Sequence, residues 1–318
     1  MHSGANWRKS LQKRERYCNS MRNKLLVTGS SGFLGWNVCR YAAQRYDVYG
    51  VCFQHECTLR NVTAIHCDLT DASAVETLFS QIQPDAVIHT AAAADPNYCQ
   101  QHEEETKKIN IEAPIAIARH CARRAIPYVF TSSDLVFDGT APPYSEEAAV
   151  SPVSTYGKQK VAAEQGIVTA HPKAVICRMP LMYGDAPSSA RSFIHPIIAA
   201  LNNGNELFLF TDEYRTPLSA EDAASGLLLA CESEGEVPIL HLGGLERLSR
   251  YDIGSLIADI LNTQTNITGC KQKEVPMTAP RPADVSLDST KAFSLGFSPG
   301  TMRENLKILD CIKKVIGK

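Results

Sequence analysis

Apolar and polar positions alternate in blocks along this chain rather than residue by residue. From Lys24 the sequence runs KLLVT, then places glycine at positions 29, 32 and 35, then follows a helical pattern to about Arg45. DVYGVC (47–52) and VTAIHC (62–67) read as strands, DASAVETLFSQI (71–82) as a helix and DAVIHTAAA (85–93) as a strand. Helix 103–124, strand PYVFTSS (127–133), helix 155–170 and strand KAVICRM (173–179) continue the series. Apolar strands separated by helices predict an α/β protein: a parallel, doubly wound sheet covered on both faces.

After Gly184 the alternation loses its regularity. Helix 189–203, a strand near 206–210, helix 220–232, strand 237–242 and helices near 250–262 and 303–315 predict a smaller α/β lobe. This lobe cannot complete a nucleotide fold alone, so it is expected to cap the sheet and form a substrate pocket. The expected division is 23–183 for the sheet domain and 184–318 for the second lobe, with about 211–243 returning to the first. The 318 residues suffice for two such lobes.

Composition narrows the picture. A net charge of -2, with 44% hydrophobic and 21% charged residues, gives no electrostatic attraction for nucleic acid or membrane. No apolar run is long enough to span a bilayer. The eleven cysteines are scattered without a C-x-x-C pair, which argues against a metal site and against a disulfide framework. Cys39, Cys121 and Cys231 fall in apolar helical patterns and are expected as buried thiols of a reducing, cytoplasmic protein. Residues 1–22 are basic, with Arg8, Lys9, Lys13, Arg14, Arg16 and Arg22 against Glu15, and read as a disordered leader.

The glycines carry the first chemical signal. Gly29 turns the chain off its strand, Gly32 lets backbone N–H groups approach a pyrophosphate, and Gly35 lets the helix pack on the strand. Ligands of such sheets bind past the carboxyl ends of the strands, which selects Asp68, Ala91 to Ala93, Ser132 and Ser133. The second strand ends in Phe53 and Gln54, with Glu56 beyond, so the acid that favours NAD is missing; Arg60 is the first nearby arginine. Either NAD(H) or NADP(H) fits, tilted toward NADP(H).

The second signal is the stretch VSTYGKQKVAAEQ. Tyr156 and Lys160 share one helix face, and Ser133 ends the preceding strand. A carbonyl that accepts a hydride needs a proton donor, and a tyrosine of pKa about 10 can serve. A nearby ammonium is expected to draw that pKa down so that the phenol works in both directions. A serine hydroxyl adds a hydrogen bond to the same oxygen.

TGSSGFLG (28–35), CDL (67–69), HTAAAA (89–94), INIEAP (109–114), TSSDLVFDG (131–139), YGKQK (156–160) and RMPLMYG (178–184) appear in the order typical of extended short-chain dehydrogenases/reductases. Together with RPADVSLDSTKAFSLGF (281–297), they most resemble the dTDP-4-dehydrorhamnose reductase branch and are similar to the regulatory subunit of methionine adenosyltransferase. The resemblance covers about residues 23 to 318 and implies a Rossmann-type domain. It implies that Gly29, Ser31, Gly32, Phe33, Leu34 and Gly35 hold a pyrophosphate. Asp68 and Leu69 flank the adenine, and Ala91, Ala92 and Ala93 line the ribose and nicotinamide side. It further assigns Asn110, Ser132, Tyr156, Lys160 and Pro180 to the cofactor, with Ser133, Tyr156 and Lys160 as the catalytic set. Ser133, Asp134, Arg215 and Arg281 are the implied substrate contacts, the arginines because their planar fork pairs with phosphate oxygens. The implied activity is reduction of a keto group on a nucleotide-activated sugar. A sugar-nucleotide epimerase and a non-catalytic, dinucleotide-binding regulatory subunit remain as alternatives, and a homodimer is compatible with either. His89 is expected to be structural.

Overall fold

The computed structural model describes residues 22–233, 235–263 and 266–317. The expected basic leader therefore lies, except for Arg22, outside the described residues. Seven strands form the central sheet: β1 Lys24–Thr28, β2 Asp47–Cys52, β3 Val62–His66, β4 Ala86–His89, β5 Tyr128–Ser133, β6 Val175–Met179 and β7 Ile239–His241. Their spatial order is β7-β6-β5-β4-β1-β2-β3, and every pairing is parallel. The winding direction reverses between β1 and β4, where Thr28 lies opposite His89. A crevice opens past the carboxyl ends of two strands at such a reversal.

The helices of seven or more residues are α1 Phe33–Ala42, α2 Ala72–Ile82, α3 Ala113–Arg123, α4 Thr155–Ala170, α5 Ile194–Asn202, α6 Ala220–Glu232, α7 Arg250–Leu261, α8 Met302–Ile308 and α9 Asp310–Ile316. Successive β1 residues face opposite ways, as the strand period demands. Leu25 and Val27 join a core with α1 and α6, through Val38, Ala42, Ala223, Leu227 and Leu228. Leu26 joins the opposite core with α2, α3 and α4, through Leu78, Phe79, Ile117, Ala163 and Ile167. β4 and β5 are buried along their whole length. β3 differs: as an edge strand it buries none of its residues fully, so the expected two-sided cover stops at β2.

Two other departures have local causes. The expected helix 103–124 is broken into Pro96–Gln101, Glu103–Lys107, a π-helical turn Lys108–Glu112, and α3. Pro114, at the start of α3, has no N–H to give the carbonyl of Asn110, four residues earlier, and the wider turn absorbs that loss. The expected helix 303–315 is two helices, because Leu309 adopts an extended conformation between α8 and α9.

In the second lobe, Ile194, Ile197 and Leu201 of α5 pack with Ile253 and Ile257 of α7, Leu306 of α8 and Ile312 of α9. α7 opens on a capping box in which Ser249 and Asp252 satisfy each other's backbone N–H groups. A fourth apolar group, Val136, Phe137, Tyr144, Val285 and Leu287, joins the turn after β5 to the chain near 285. Among the described residues, no helix is long and apolar enough to cross a membrane. Cys39, Cys121 and Cys231 are buried, as their positions in apolar patterns imply.

Candidate active site

The site begins where β1 turns. Gly29 has φ +72°, and a Cβ there would lie 2.8 Å from both the N and the Cα of Ala91 after β4. The two strand ends touch only because position 29 has no side chain. Gly32 N donates to the Gly29 carbonyl at 2.9 Å and then caps α1 without a side-chain hydrogen bond. The first turn of α1 carries no acid. Its N–H groups are thus open to an anion such as a pyrophosphate, and Ser30 Oγ beside them is buried without a partner. Phe33 and Leu34 follow on α1, Leu34 packed on the core. The carbonyl of Ser31 accepts a hydrogen bond from Ser189 Oγ at 2.8 Å.

Asn110 stands on the π-helical turn, bonded to the loop after β4. Its Oδ1 accepts from Ala93 N at 2.9 Å, and its Nδ2 donates to Ala93 O at 3.1 Å and to Gln159 Oε1 at 2.7 Å. One buried amide thereby ties the loop Ala91–Ala93 to α4. Asp68 and Leu69 lie after β3; Leu69 enters the core, and Asp68 Oδ1 accepts from Thr70 N at 2.9 Å. Pro180 follows β6. The Ser132 hydroxyl donates to Glu164 Oε1.

Ser133 ends β5. Its Oγ accepts from Leu135 N at 3.2 Å and donates to Asp134 Oδ1 at 3.2 Å. α4 is capped by Ser154, whose hydroxyl accepts from Gly157 N at 3.2 Å. A Cβ on Gly157 would run into the carbonyl oxygen of Leu135. Glycine there lets α4 lie against the turn after Ser133, which brings Tyr156 and Ser133 within hydrogen-bonding reach of each other. Tyr156 is 8% exposed and Lys160 2%. Lys160 Nζ donates to Thr131 O at 2.9 Å and sits 4.7 Å from the Phe130 ring centre and 5.6 Å from that of Tyr156.

The electrostatics correct one expectation. Tyr156 is pushed above its ordinary pKa, first by burial, then by Cys99 and Asp134; only the hydrogen bond with Ser133 draws it back. Lys160 lies over the ring face, and burial brings it down to about 8 against the upward pull of Glu164 and Cys99. Desolvation thus outweighs the ammonium's influence on the phenol. His89 is fully buried, bonded through Nδ1 to Thr28 Oγ1 at 2.9 Å, and held neutral by burial and by Lys160, with a pKa of about 3.

Asp134 links this group to the second lobe. Burial raises its pKa to about 6, and Arg215 Nε lies 3.3 Å from its Oδ2. Arg215 Nη2 also faces Glu213 Oε1 at 3.8 Å, and Arg281 Nη1 faces Glu213 Oε2 at 3.6 Å. The two arginines are therefore not paired with Asp212 or Asp284: Asp284 holds Arg247 at 2.6 Å, and Asp212 accepts from Gln272 N at 3.0 Å.

Sequence reasoning missed Glu213 and Arg250, which complete the second-lobe cluster, and Cys99 and Gln159, which pack around Asn110. It also missed the buried Glu164–Arg178 pair, 2.9 Å apart beneath Lys160. Only Glu164 had a local signal, since it lies four residues after Lys160 on the same helix face.

The RmlD substrate binding domain family matches residues 23–315. Methionine adenosyltransferase 2 subunit beta of Xenopus tropicalis is 27% identical over 284 residues, covering 87% of this chain and 84% of its own. A probable low-salt glycan biosynthesis reductase of Haloferax volcanii is 30% identical over 294 residues, covering 89% and 96%. Among solved structures, a dTDP-4-dehydrorhamnose reductase from Clostridium acetobutylicum superposes with a TM-score of 0.79 at 27% identity, over 92% of this chain and 99% of that one. A UDP-glucose 4-epimerase from Thermotoga maritima, at 21% identity and the same TM-score of 0.79, shares the fold. By the extent of these matches and the geometry of its crevice, the chain belongs to the RmlD substrate binding domain family, within the extended short-chain dehydrogenases/reductases.

Proposed function

We propose that the chain reduces a keto group on a nucleotide-activated sugar with NADPH or NADH, in the manner of a dTDP-4-dehydrorhamnose reductase. The observation that carries this reading is the Ser133–Tyr156–Lys160 group at the carboxyl edge of the sheet, across the crevice from the uncapped start of α1. Gly29, Ser31, Gly32, Phe33, Leu34 and Gly35 would cradle the pyrophosphate, Asp68 and Leu69 the adenine, and Ala91 to Ala93, Ser132, Asn110 and Pro180 the nicotinamide half. A bound nicotinamide supplies the hydride.

The chain's own residues handle the oxygen. Ser133 Oγ–H turns from Asp134 to the substrate carbonyl, and Tyr156 then gives that oxygen its proton, so C=O becomes CH–OH. Burial keeps Tyr156 protonated beforehand, the form a donor needs. Lys160 on the ring face offsets the charge left on the phenolate and would reach the ribose hydroxyls. β2 is followed by Phe53 and Gln54 without an acid, and Arg60 is exposed a few residues on, which favours NADPH. Residues 23–183 then serve the cofactor, and most of 184–318 the sugar nucleotide.

The test is cofactor absorbance with NADPH or NADH and a dTDP-4-dehydro sugar. Stoichiometric oxidation, reduced about 10²–10⁴-fold by Tyr156→Phe, is the expected result. Sugar interconversion without net oxidation would mark an epimerase instead. The similarity to methionine adenosyltransferase 2 subunit beta supports a second reading, a cofactor-binding regulatory subunit. Cofactor binding with no turnover of any nucleotide sugar is the outcome that reading requires.

A further inference from the structure

The second-lobe charges are assembled by backbone pairing. Tyr214–Arg215 pairs antiparallel with Leu248–Ser249, with Ser249 opposite Tyr214, so the next residues out, Glu213 and Arg250, face each other. A further bridge from Tyr214 to Asp284 brings in the segment that carries Arg281. The Glu213 side chain has no exposed surface. Its Oε1 takes Arg250 Nε at 2.8 Å and Arg215 Nη2 at 3.8 Å, and its Oε2 takes Arg281 Nη1 at 3.6 Å. Arg250 and Arg281 are 18% and 28% exposed, so the cluster opens on their side, away from Glu213.

Stability alone does not account for this arrangement. Arg250 occupies the first position of α7, where the helix dipole disfavours a cation. The guanidinium groups of Arg215, Arg250 and Arg281 exceed the two carboxylates of Glu213 and Asp134 by one positive charge. Arg247 and Asp284 next to them cancel. Arg281 Nε is buried with no hydrogen-bond partner, a cost that an oxygen ligand would relieve. Through Asp134, the cluster's inner end touches Ser133.

We propose that Glu213 is a positioning residue that gathers Arg215, Arg250 and Arg281 into a clamp for the diphosphate of the substrate, with Arg250 a third phosphate ligand. The inference rests on the nucleotide-sugar reading above. Glu213 is the fixed back wall: its two oxygens hold the three forks side by side, leaving their outer N–H groups for phosphate oxygens.

Calorimetric titration with dTDP, UDP and inorganic pyrophosphate tests the clamp without turnover. The wild-type protein should bind the nucleoside diphosphates, and Glu213→Gln should weaken that binding tenfold or more while leaving NADPH affinity unchanged. With a keto-sugar substrate, the same change should raise KM with little effect on kcat, and Glu213→Asp should recover part of the loss. Arg250→Gln, at a partly exposed position, should weaken diphosphate binding similarly and stands in if Glu213→Gln does not fold. Unchanged or tighter binding in Glu213→Gln, or in Arg250→Gln where that variant stands in, overturns the proposal, as does wild-type protein that binds none of the three probes. Diphosphate binding lost in the variants, with no keto sugar reduced by the wild type, upholds the clamp and sinks the reductase reading.

Discussion

The tyrosine–lysine face of α4 and the arginine cluster of the second lobe are both buried, yet they settle their charges in opposite ways. Around Lys160 there is little compensating charge: the ammonium rests on a carbonyl and two aromatic faces, and burial brings it down to about 8. At Glu213 burial also favours the neutral form, but Arg250, Arg215 and Arg281 together more than reverse it, and the carboxylate stays below its ordinary range. The proposed proton transfer would need groups whose protonation can change, and sparse charge would provide that. The proposed phosphate clamp would need fixed charge, and dense pairing would provide it.

The sharpest challenge to this contrast is the Glu164–Arg178 pair under the first site. Glu164→Leu leaves Arg178 buried without its partner, and thermal denaturation should show a loss of about 3–5 kcal/mol. A loss under 1 kcal/mol would mean that the first site is no less well compensated than the second.

Next in size is the pH dependence of Lys160. Its folded pKa, about 8, lies below the unfolded value of about 10.4, so the unfolded chain binds more protons between them. Burying the charge costs about 3 kcal/mol below pH 8, and that cost is relieved as pH rises toward 10.4. Stability of the wild type relative to Lys160→Met should therefore rise across this window, read from denaturation midpoints at several pH values. A flat difference would remove desolvation as the cause.

Gly157→Ala should cost about 1–3 kcal/mol, because the added methyl meets the Leu135 carbonyl, and should reduce turnover more than diphosphate binding. Equal losses in both would tie the two sites into one unit. The smallest effect belongs to the exposed Arg303–Asp259 pair of the second lobe: Arg303→Ala should change stability by less than about 1 kcal/mol despite its 2.8 Å contact.

The same contrast decides what the sequence could disclose. Gly29, Gly32, Gly35, Ser133, Tyr156 and Lys160 were legible because each acts through local spacing on a strand end or a helix face. α4 spans Thr155–Ala170, as its pattern predicts. Glu213 and Arg250 were not legible: they meet through the register of two short strands far apart in the chain, and neither strand has a pattern of its own. The break at Asn110 lay between these cases. Pro114 stood in plain view, but its effect is felt four residues earlier, at the carbonyl it cannot serve. The upward shift of Tyr156 was out of reach because it depends on how completely three layers exclude water.

The position of β7 has a consequence for synthesis on the ribosome. The sheet is finished by residues 239–241, after the chain has crossed into the second lobe and returned through α6. A nascent chain that stops short of residue 220 already holds Gly29, Gly32, Gly35, Ser133, Tyr156 and Lys160, yet β6 has an unpaired edge and Leu25, Val27 and Val129 lack the leucines of α6. The half that holds the glycine turn therefore cannot mature first and wait for the other. Both lobes must be translated before either has its full core.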